Sequence, residues 1–498
     1  MMKNRLKILF LSSEVAPFAK TGGLGDVSGA LPKALYEAGH DVRVMMPKYG
    51  CISERKYVLR DVIRLRKIPL IMGGKEYAAL AKSAFIPDTK VQVYFLENKP
   101  FFDKKDLYID PRTGKDFANN AERFALFCRA ALETTKLLHW EPDVIHCNDW
   151  QTALIPWLLK NDYSNDGFFA KTRTVLSLHN VAFQGVFEPA VLAKIGLPQE
   201  LGQKDGDMEF YGRVNFLKLG ALSADYLTTV SPSYAQEIQQ NETLGAGLDP
   251  IFRARKRELV GILNGVDYSI WNPEIDSLIP AKYNAASLKE KVVNKQALAE
   301  QSGLNFDPTV PIIGMISRLT EQKGFDILLE GAEKIFALNL QLIILGTGES
   351  RYETGLKALQ RKFPQKLALH FKFDDELAHL IEAGSDCFLM PSRFEPCGLN
   401  QLYSLKYGTL PIVHATGGLA DTIIDVTKDP AKGNGFVFQE YSASALYEAI
   451  ERAVGEFVAG KEWQKIVKRA MRLDFSWKSL AEKYVKLYHK LDSLKRKN

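Results

Sequence analysis

Four clusters of polar residues stand where apolar runs give out, and they hold the side chains most able to do chemistry. Lys20-Thr21-Gly22-Gly23-Leu24-Gly25-Asp26 joins a strand-like run to a helix-period segment. Its glycines allow close backbone approach, the helix start offers N–H groups, and Lys20 adds a mobile positive charge. That combination suits phosphate, although alone it is equally a tight turn. It matches neither the Walker A loop nor the Gly-x-Gly-x-x-Gly fingerprint. Ser317-Arg318-Leu319-Thr320-Glu321-Gln322-Lys323-Gly324 follows another apolar run. There Arg318 offers a forked contact to phosphate oxygens and Lys323 a second charge. In Pro391-Ser392-Arg393-Phe394-Glu395-Pro396-Cys397-Gly398-Leu399-Asn400, Glu395 can grip sugar hydroxyls or simply cap its own helix. Cys397 reads as a half-buried small residue rather than a nucleophile. The last cluster joins His146-Cys147-Asn148-Asp149-Trp150 to Leu178-His179-Asn180-Val181-Ala182-Phe183-Gln184-Gly185. Asp149 can accept bonds from sugar hydroxyls while Trp150 packs on an apolar ring face. His179 can donate a hydrogen bond, present its carbonyl, or be structural. His146, Cys147 and His179 lack ligand-type spacing, so no metal site is expected.

The elements that must position these clusters alternate in βαβ fashion. Leu6–Ser13 reads as a buried strand that Glu14 interrupts, Asp26–Ala38 as a helix ending at Gly39, and Asp41–Pro47 as the next strand. Val91–Leu96, Val144–Cys147, Thr174–Leu178 and Tyr226–Val230 are further strands, with a helix over Asn120–Leu138. A second cycle starts at Pro311. Strands are expected at Ile312–Ile316, Leu340–Leu345, Leu367–Phe373, Cys387–Met390, Pro411–His414 and Gly435–Phe438. Helical segments lie between them at Phe325–Phe336, Tyr352–Phe363, Leu377–Ala383, Leu399–Tyr407 and Leu419–Val426. Two such cycles imply two Rossmann-like domains, with clusters at strand ends where open sheets bind ligands. The join is expected near Gly261–Asn272, and amphipathic Lys478–Lys497 reads as a packing helix. Thr416-Gly417-Gly418-Leu419-Ala420-Asp421 echoes the Thr21–Asp26 turn, which predicts exposed amides at both helix starts.

The chain has 498 residues, about twice what one hydrophobic core usually supports. Lys and Arg exceed Asp and Glu by 65 to 59, an excess too diffuse for nucleic-acid binding. Five cysteines without CxxC spacing argue against a disulfide framework and for a reducing compartment. No run approaches the ~18 uncharged apolar residues of a membrane helix, and no secretory signal is recognisable. A cytoplasmic enzyme is the expectation.

Taken in chain order, Lys-Thr-Gly-Gly-Leu, Leu-His-Asn-x-x-Phe-Gln-Gly and Pro-Ser-Arg-Phe-Glu-Pro-Cys-Gly-Leu resemble the bacterial glycogen synthase and plant starch synthase family over nearly the whole chain. The resemblance implies an α/β GT-B fold, two Rossmann-like domains with parallel sheets facing a central cleft. It places the acceptor-side domain at residues 1–263, the nucleotide-sugar domain at 264–475, and a helix at 476–498 packing back across the junction. It implies retaining transfer of glucose from ADP-glucose to the non-reducing 4-hydroxyl of glycogen or a linear α-1,4-glucan. No cofactor or metal is implied, nor any nucleic-acid or membrane partner; the oligomeric state stays open. Arg318 and Lys323 match the pair that neutralises the diphosphate. Glu395 matches the carboxylate holding the transferred glucose, and Cys397, Gly398, Leu399 and Asn400 the phosphate-binding helix start. Asp149 and His179 match sugar-site residues, with Trp150 and Asn180 beside them and Asn264 lining the cleft. Lys20, with Gly22 and Gly23, matches the nucleotide-sugar loop. Phe373 stands where relatives often carry a tyrosine near the adenine, and Asn400 where many have threonine. Front-face attack is the expected chemistry, with the leaving phosphate taking the acceptor's proton, the His179 carbonyl near the oxocarbenium, and domain closure over the donor. Another retaining GT-B enzyme with a small-sugar acceptor, or a noncatalytic glucan-binding relative, are the alternatives.

Overall fold

The computed structural model describes residues 5–494. Residues 1–4 and 495–498, at the ends of the expected first domain and last helix, lie outside that range. The chain divides into two compact units. One comprises the chain up to Val230, Ala235–Gly265 and the chain from Trp477 onward; the other comprises Ser231–Tyr234 and Val266–Ser476.

The first unit is built on a ten-stranded sheet. Its strands are β1 (Lys7–Leu11), β2 (Asp41–Pro47), β3 (Arg60–Asp61), β4 (Ile68–Met72), β5 (Lys75–Phe85), β6 (Gln92–Glu97), β7 (Val144–Asn148), β8 (Arg173–Leu178), β9 (Tyr226–Thr229) and β10 (Leu259–Gly261). They lie in the order β10-β9-β8-β7-β1-β2-β6-β5-β3, with β4 paired to β5. From β10 to β6 every pairing is parallel. These strands are covered on both faces and therefore read as nearly unbroken apolar runs; β1 and β7 illustrate the pattern. Helices α1 (Gly23–Glu37) and α2 (Asn120–Leu137) cover the sheet. Beyond β6 the sheet turns antiparallel. There Gly73 and Gly74, at φ +58° and +70°, join β4 to β5. A two-residue turn with both residues left-handed suits a twisted hairpin and glycine alone adopts it freely.

The second unit has a six-stranded, wholly parallel sheet. Its strands are β11 (Ile312–Ile316), β12 (Gln341–Leu345), β13 (Leu367–His370), β14 (Cys387–Met390), β15 (Leu410–His414) and β16 (Phe436–Phe438), in the order β13-β12-β11-β14-β15-β16. Helices α3 (Phe325–Ala337), α4 (Asn400–Tyr407) and α5 (Gly417–Thr422) flank the site loops. The main core is a cluster of buried, mostly aliphatic side chains that includes Ile313, Leu328, Ile343, Phe388 and Ile412.

β1 ends at Leu11 rather than Ser13, and two later elements stop further short of their sequence-based limits. β13 ends at His370, whose carbonyl accepts both Gly346 N and Lys372 N, so the chain bends before Phe373. The expected Leu419–Val426 helix ends at Thr422, because Asp425 turns its carboxylate to the amides of Thr427 and Val437. The last helix, α6 (Trp477–Leu494), belongs to the first unit.

Candidate active site

The parallel part of each sheet reverses its strand order once, between β1 and β7 in the first unit and between β11 and β14 in the second. At such a switch the loops leaving neighbouring strands diverge and open a crevice at the carboxyl edge. Most of the predicted side chains sit on those loops, while His179 and Asn180 follow β8, Asn264 follows β10 and Phe373 follows β13.

In the second unit, Ser317–Gly324 leaves β11 and Pro391–Leu399 leaves β14. The Lys323 ammonium lies 2.5 Å from Glu395 Oε2, and the Ser392 hydroxyl donates to the same oxygen at 3.1 Å. Glu395 is 7% exposed, so its carboxylate is held by these two partners rather than by water. The loops interlock: Arg393 N donates to the Gln322 carbonyl, and Gln322 Nε2 donates to that of Phe394. Gly324 adopts φ +80°, and a Cβ there would fall 2.0 Å from the Pro391 carbonyl oxygen. Arg318 is exposed at the strand end, above the buried hydroxyls of Ser317 and Thr320, which lack a partner among the described residues. Phe373 is 83% exposed at the same edge, its ring open for stacking.

Helix α4 begins beside this pair. Cys397 is buried, which fits a packing role. Gly398 adopts φ +71°, and the Gln401 side chain donates to the carbonyls of Cys397 and Gly398. Leu399 stands at the N-cap without a side-chain cap and packs behind the helix against Val266, Leu402 and Tyr403. Asn400 donates its side-chain amide to the Ile316 carbonyl at 2.9 Å, which ties α4 to the end of β11 and sets its backbone N–H at the helix start.

In the first unit, Asp149 follows β7 and His179 follows β8. Asp149 Oδ1 accepts the His179 amide at 2.7 Å. Burial pushes the Asp149 carboxyl up to about 7; the His179 amide opposes that rise and the charge of Glu14 adds to it. Burial likewise lowers His179 to about 4, so its imidazole is neutral at pH 7. His179 Nε2 bonds the Asn148 side-chain oxygen at 2.9 Å. Asn180 Oδ1 accepts Ala182 N in a local turn. Asn264 is buried, and its Oδ1 lacks a partner among the described residues. Lys20 is half-exposed and 3.1 Å from Asp26. Gly22 and Gly23 mark the start of α1, and a Cβ on Gly22 would meet nothing within 4 Å.

Two expectations change on contact with the structure. Trp150, read as a sugar-stacking ring, is packed by Phe124, Phe187 and Phe216. Gly185 also lies so close that a Cβ there would sit 2.4 Å from the indole. Its edge forms part of a cleft of about 410 Å³, where Phe183 is the exposed ring. The amides expected to be exposed at the two Gly-Gly turns are largely occupied. Thr21 N and Gly22 N donate to Glu14, and Gly418 N to the carbonyls of Glu395 and Pro396. The second turn is thus a support: a Cβ on Gly418 would fall 2.1 Å from the Cys397 oxygen. Sequence reading missed Glu14, Tyr108, Ser392 and the Gly346-Thr347-Gly348 turn that packs on Ser317 and Leu319. Glu14 alone left a signal, a carboxylate just past a buried strand. His146 is committed to Tyr488 and Ser177. Among the described residues no His, Cys, Asp or Glu trio gathers as metal ligands, no helix is long and apolar enough to cross a membrane, and no disulfide joins any of the five cysteines.

Two Rossmann-like units with charged groups at their carboxyl edges have the architecture of GT-B glycosyltransferases. The catalytic domain of starch synthase IV from Arabidopsis thaliana, solved with ADP and acarbose, superposes with a TM-score of 0.90 at 34% identity, covering 98% of this chain and 100% of that one. Sucrose-phosphate synthase from Thermosynechococcus elongatus, at 18% identity and a TM-score of 0.59, shares the fold alone. In sequence, residues 7–254 match the starch synthase catalytic domain and residues 298–469 the glycosyl transferases group 1 family. Glycogen synthase 2 of Geobacter sulfurreducens is 44% identical over 97% of this chain and 98% of its own length. Glycogen synthase of Thermotoga maritima is 41% identical over 97% and 99%. The chain belongs to the glycogen and starch synthase family of glycosyltransferases.

Proposed function

We propose that this glycosyltransferase moves glucose from ADP-glucose to the non-reducing 4-hydroxyl of an α-1,4-glucan with retention of configuration. The observation that carries the reading is the Lys323–Glu395 pair at the carboxyl edge of the second unit. A cation and a carboxylate sharing one contact suit a ligand with phosphate on one side and hydroxyls on the other. Lys323 and Arg318 then stabilise the departing diphosphate, and Glu395 holds the glucose. The exposed Phe373 ring supports an adenine, in keeping with the ADP bound by the similar starch synthase IV. In the first unit, ionised Asp149 accepts a sugar hydroxyl, with the His179 carbonyl beside the developing positive charge. The proton of the attacking hydroxyl goes to the leaving phosphate. The cleft lined by Phe183, Phe187, Phe210 and Gln184 suits a glucan, whose rings have apolar faces and hydroxyl rims. The charge of the diphosphate is met by side chains, so we expect no metal requirement, and cysteines outside any disulfide fit a cytoplasmic setting.

Labelled ADP-glucose and UDP-glucose, each supplied with glycogen or with a small sugar acceptor, test the assignment. Incorporation into glycogen from ADP-glucose, undiminished by EDTA, is expected; label moving only to the small sugar would refute it. Lys323→Ala and Glu395→Ala should each lower kcat/KM by about 10²-fold or more while the protein stays folded. Turnover at the parental rate in either variant would remove that residue's role.

A further inference from the structure

Glu14 stands three residues beyond β1, at the topological switch of the first unit. Its side chain is buried, and among the described residues no cation pairs with it. Hydrogen-bond donors hold the carboxylate instead. Oε2 accepts Thr21 N at 2.5 Å and Gly22 N at 3.2 Å; Oε1 accepts the Thr21 hydroxyl at 2.7 Å. The Tyr108 hydroxyl also donates to Oε1 at 2.8 Å and contacts the Ser13 hydroxyl at 2.7 Å. Three of the four donors therefore come from the two residues that follow Lys20.

Burying a carboxylate to close a surface turn is costly when a neutral side chain can do the same. What the charge adds is strength and a fixed two-oxygen geometry. It also decides what the turn can offer a ligand. A phosphate seeking the Thr21 and Gly22 amides would meet a carboxylate already seated there, which leaves the turn Lys20 and the helix-start amides of Gly23 and Leu24 to offer a diphosphate. Gly25 completes the fit, since a Cβ there would fall 2.4 Å from Lys20 Cβ. The turn is folded tightly over the start of α1, and the direction in which Lys20 leaves the backbone follows from where Glu14 holds its two successors.

We propose that Glu14 is a positioning residue of the transfer reaction, its carboxylate braced by Tyr108 and fixing the Lys20–Gly22 turn so that the Lys20 ammonium meets the donor's diphosphate. The proposal rests on reading Lys20 as a phosphate contact, and the test separates the two. Glu14→Gln, Lys20→Ala and the double variant are assayed with ADP-glucose and glycogen, with KM for each substrate and a thermal melt. Glu14→Gln keeps the size of the side chain but must turn an NH2 group toward some of the donors. It should lower kcat/KM for the donor by about tenfold, leave KM for glycogen within about twofold, and cost under about twofold more once Lys20 is alanine. Tyr108→Phe, which leaves the turn's own bonds intact, should lose about threefold with the same dependence on Lys20. It carries the test if Glu14→Gln does not fold. A purely structural role would lower the melting temperature and weaken both substrates alike, with equal losses in either Lys20 background; that result would overturn the proposal. Lys20→Ala crippled while Glu14→Gln and Tyr108→Phe run at parental rates would overturn it alone. Lys20→Ala at the parental rate would overturn the phosphate reading of Lys20 and this proposal with it.

Discussion

Asp149 combines a backbone φ of +54° with a carboxyl pushed up to about 7 by burial. A non-glycine residue in that region is strained, and strain of this kind persists where the surroundings over-determine it. Here the His179 amide fixes the carboxylate from the next strand. Asp149 accepts a substrate hydroxyl much more strongly when ionised, so its titration sets a pH limit on the reaction. Initial rates between pH 5 and 9 should fall on the acid side with a midpoint near 7. Asp149→Asn should be slower by about 10²-fold and lack that limb; a limb that survives in the variant would assign it to another group. Stability carries the opposite sign. A carboxyl raised from about 4 to about 7 binds its proton more tightly when folded, so its burial costs progressively more as pH rises through that window. The melting temperature of Asp149→Asn relative to the parent should therefore increase from pH 4 to pH 8. Burial holds His179 at about 4 and His146 at about 3, both below an unfolded value near 6.5. The stability they contribute is fully present above about 6.5 and is lost as pH falls toward those folded values.

The loops that aim these groups depend on backbone contacts that only glycine permits. Gly324, at φ +80° against the Pro391 carbonyl, lets the loop after β11 lie directly on the loop after β14. Gly324→Ala should cost about 2–4 kcal/mol and lower kcat at least tenfold, because the strain falls next to Lys323. Gly22→Ala is the contrast: with φ −165° and open space, it should stay within about 0.5 kcal/mol. Chemical denaturation with parallel rate assays checks both, and equal costs would show that the close approach is not what Gly324 serves. The same distinction explains what the sequence could reveal. Strands buried on both faces announce themselves as apolar runs, so β2, β11 and β14 have the ends expected of them. The residues just beyond them, Arg318, Lys323, Glu395, Asp149 and His179, are legible because open sheets place ligands there. The β4–β5 hairpin was not, because β5 is alanine-rich, mostly only partly buried, and lacks the clean alternation of polar and apolar residues that marks a half-buried strand. Nor were the contacts of Gly418 with Glu395 or Tyr108 with Glu14. Each joins residues far apart in sequence whose types are ordinary, and only the folded backbone shows that they meet. Trp150 failed for a related reason: its type fits sugar stacking, and nothing local reveals the three aromatic rings already packed against it.

At the scale of the chain, the first unit is finished by its last helix. His146 on β7 bonds Ser177 on β8 through Nε2 at 2.6 Å, and Ser177 contacts Thr228 on β9 at 2.5 Å. Through Nδ1, His146 bonds the Tyr488 hydroxyl of α6 at 2.6 Å. Tyr484 and Tyr488 are fully buried, and both rings lie against His146. A side-chain line thus runs across three strands and ends on a residue synthesised nearly five hundred positions after β1 begins. Tyr488→Phe keeps the ring and leaves one nitrogen of a buried imidazole unpaired, which should cost about 1–3 kcal/mol. Ending the chain at Ser476 removes the whole line's terminus together with the apolar face of α6 and should abolish the cooperative melt of the first unit. The second unit has its own core cluster, which draws nothing from α6. Its transition should remain in the truncated chain and be unmoved by Tyr488→Phe. Calorimetry or hydrogen exchange resolved by peptide distinguishes the units. If the truncated chain retained protection in β7, β8 and β9, then α6 would be an accessory to the first unit and not its completing element.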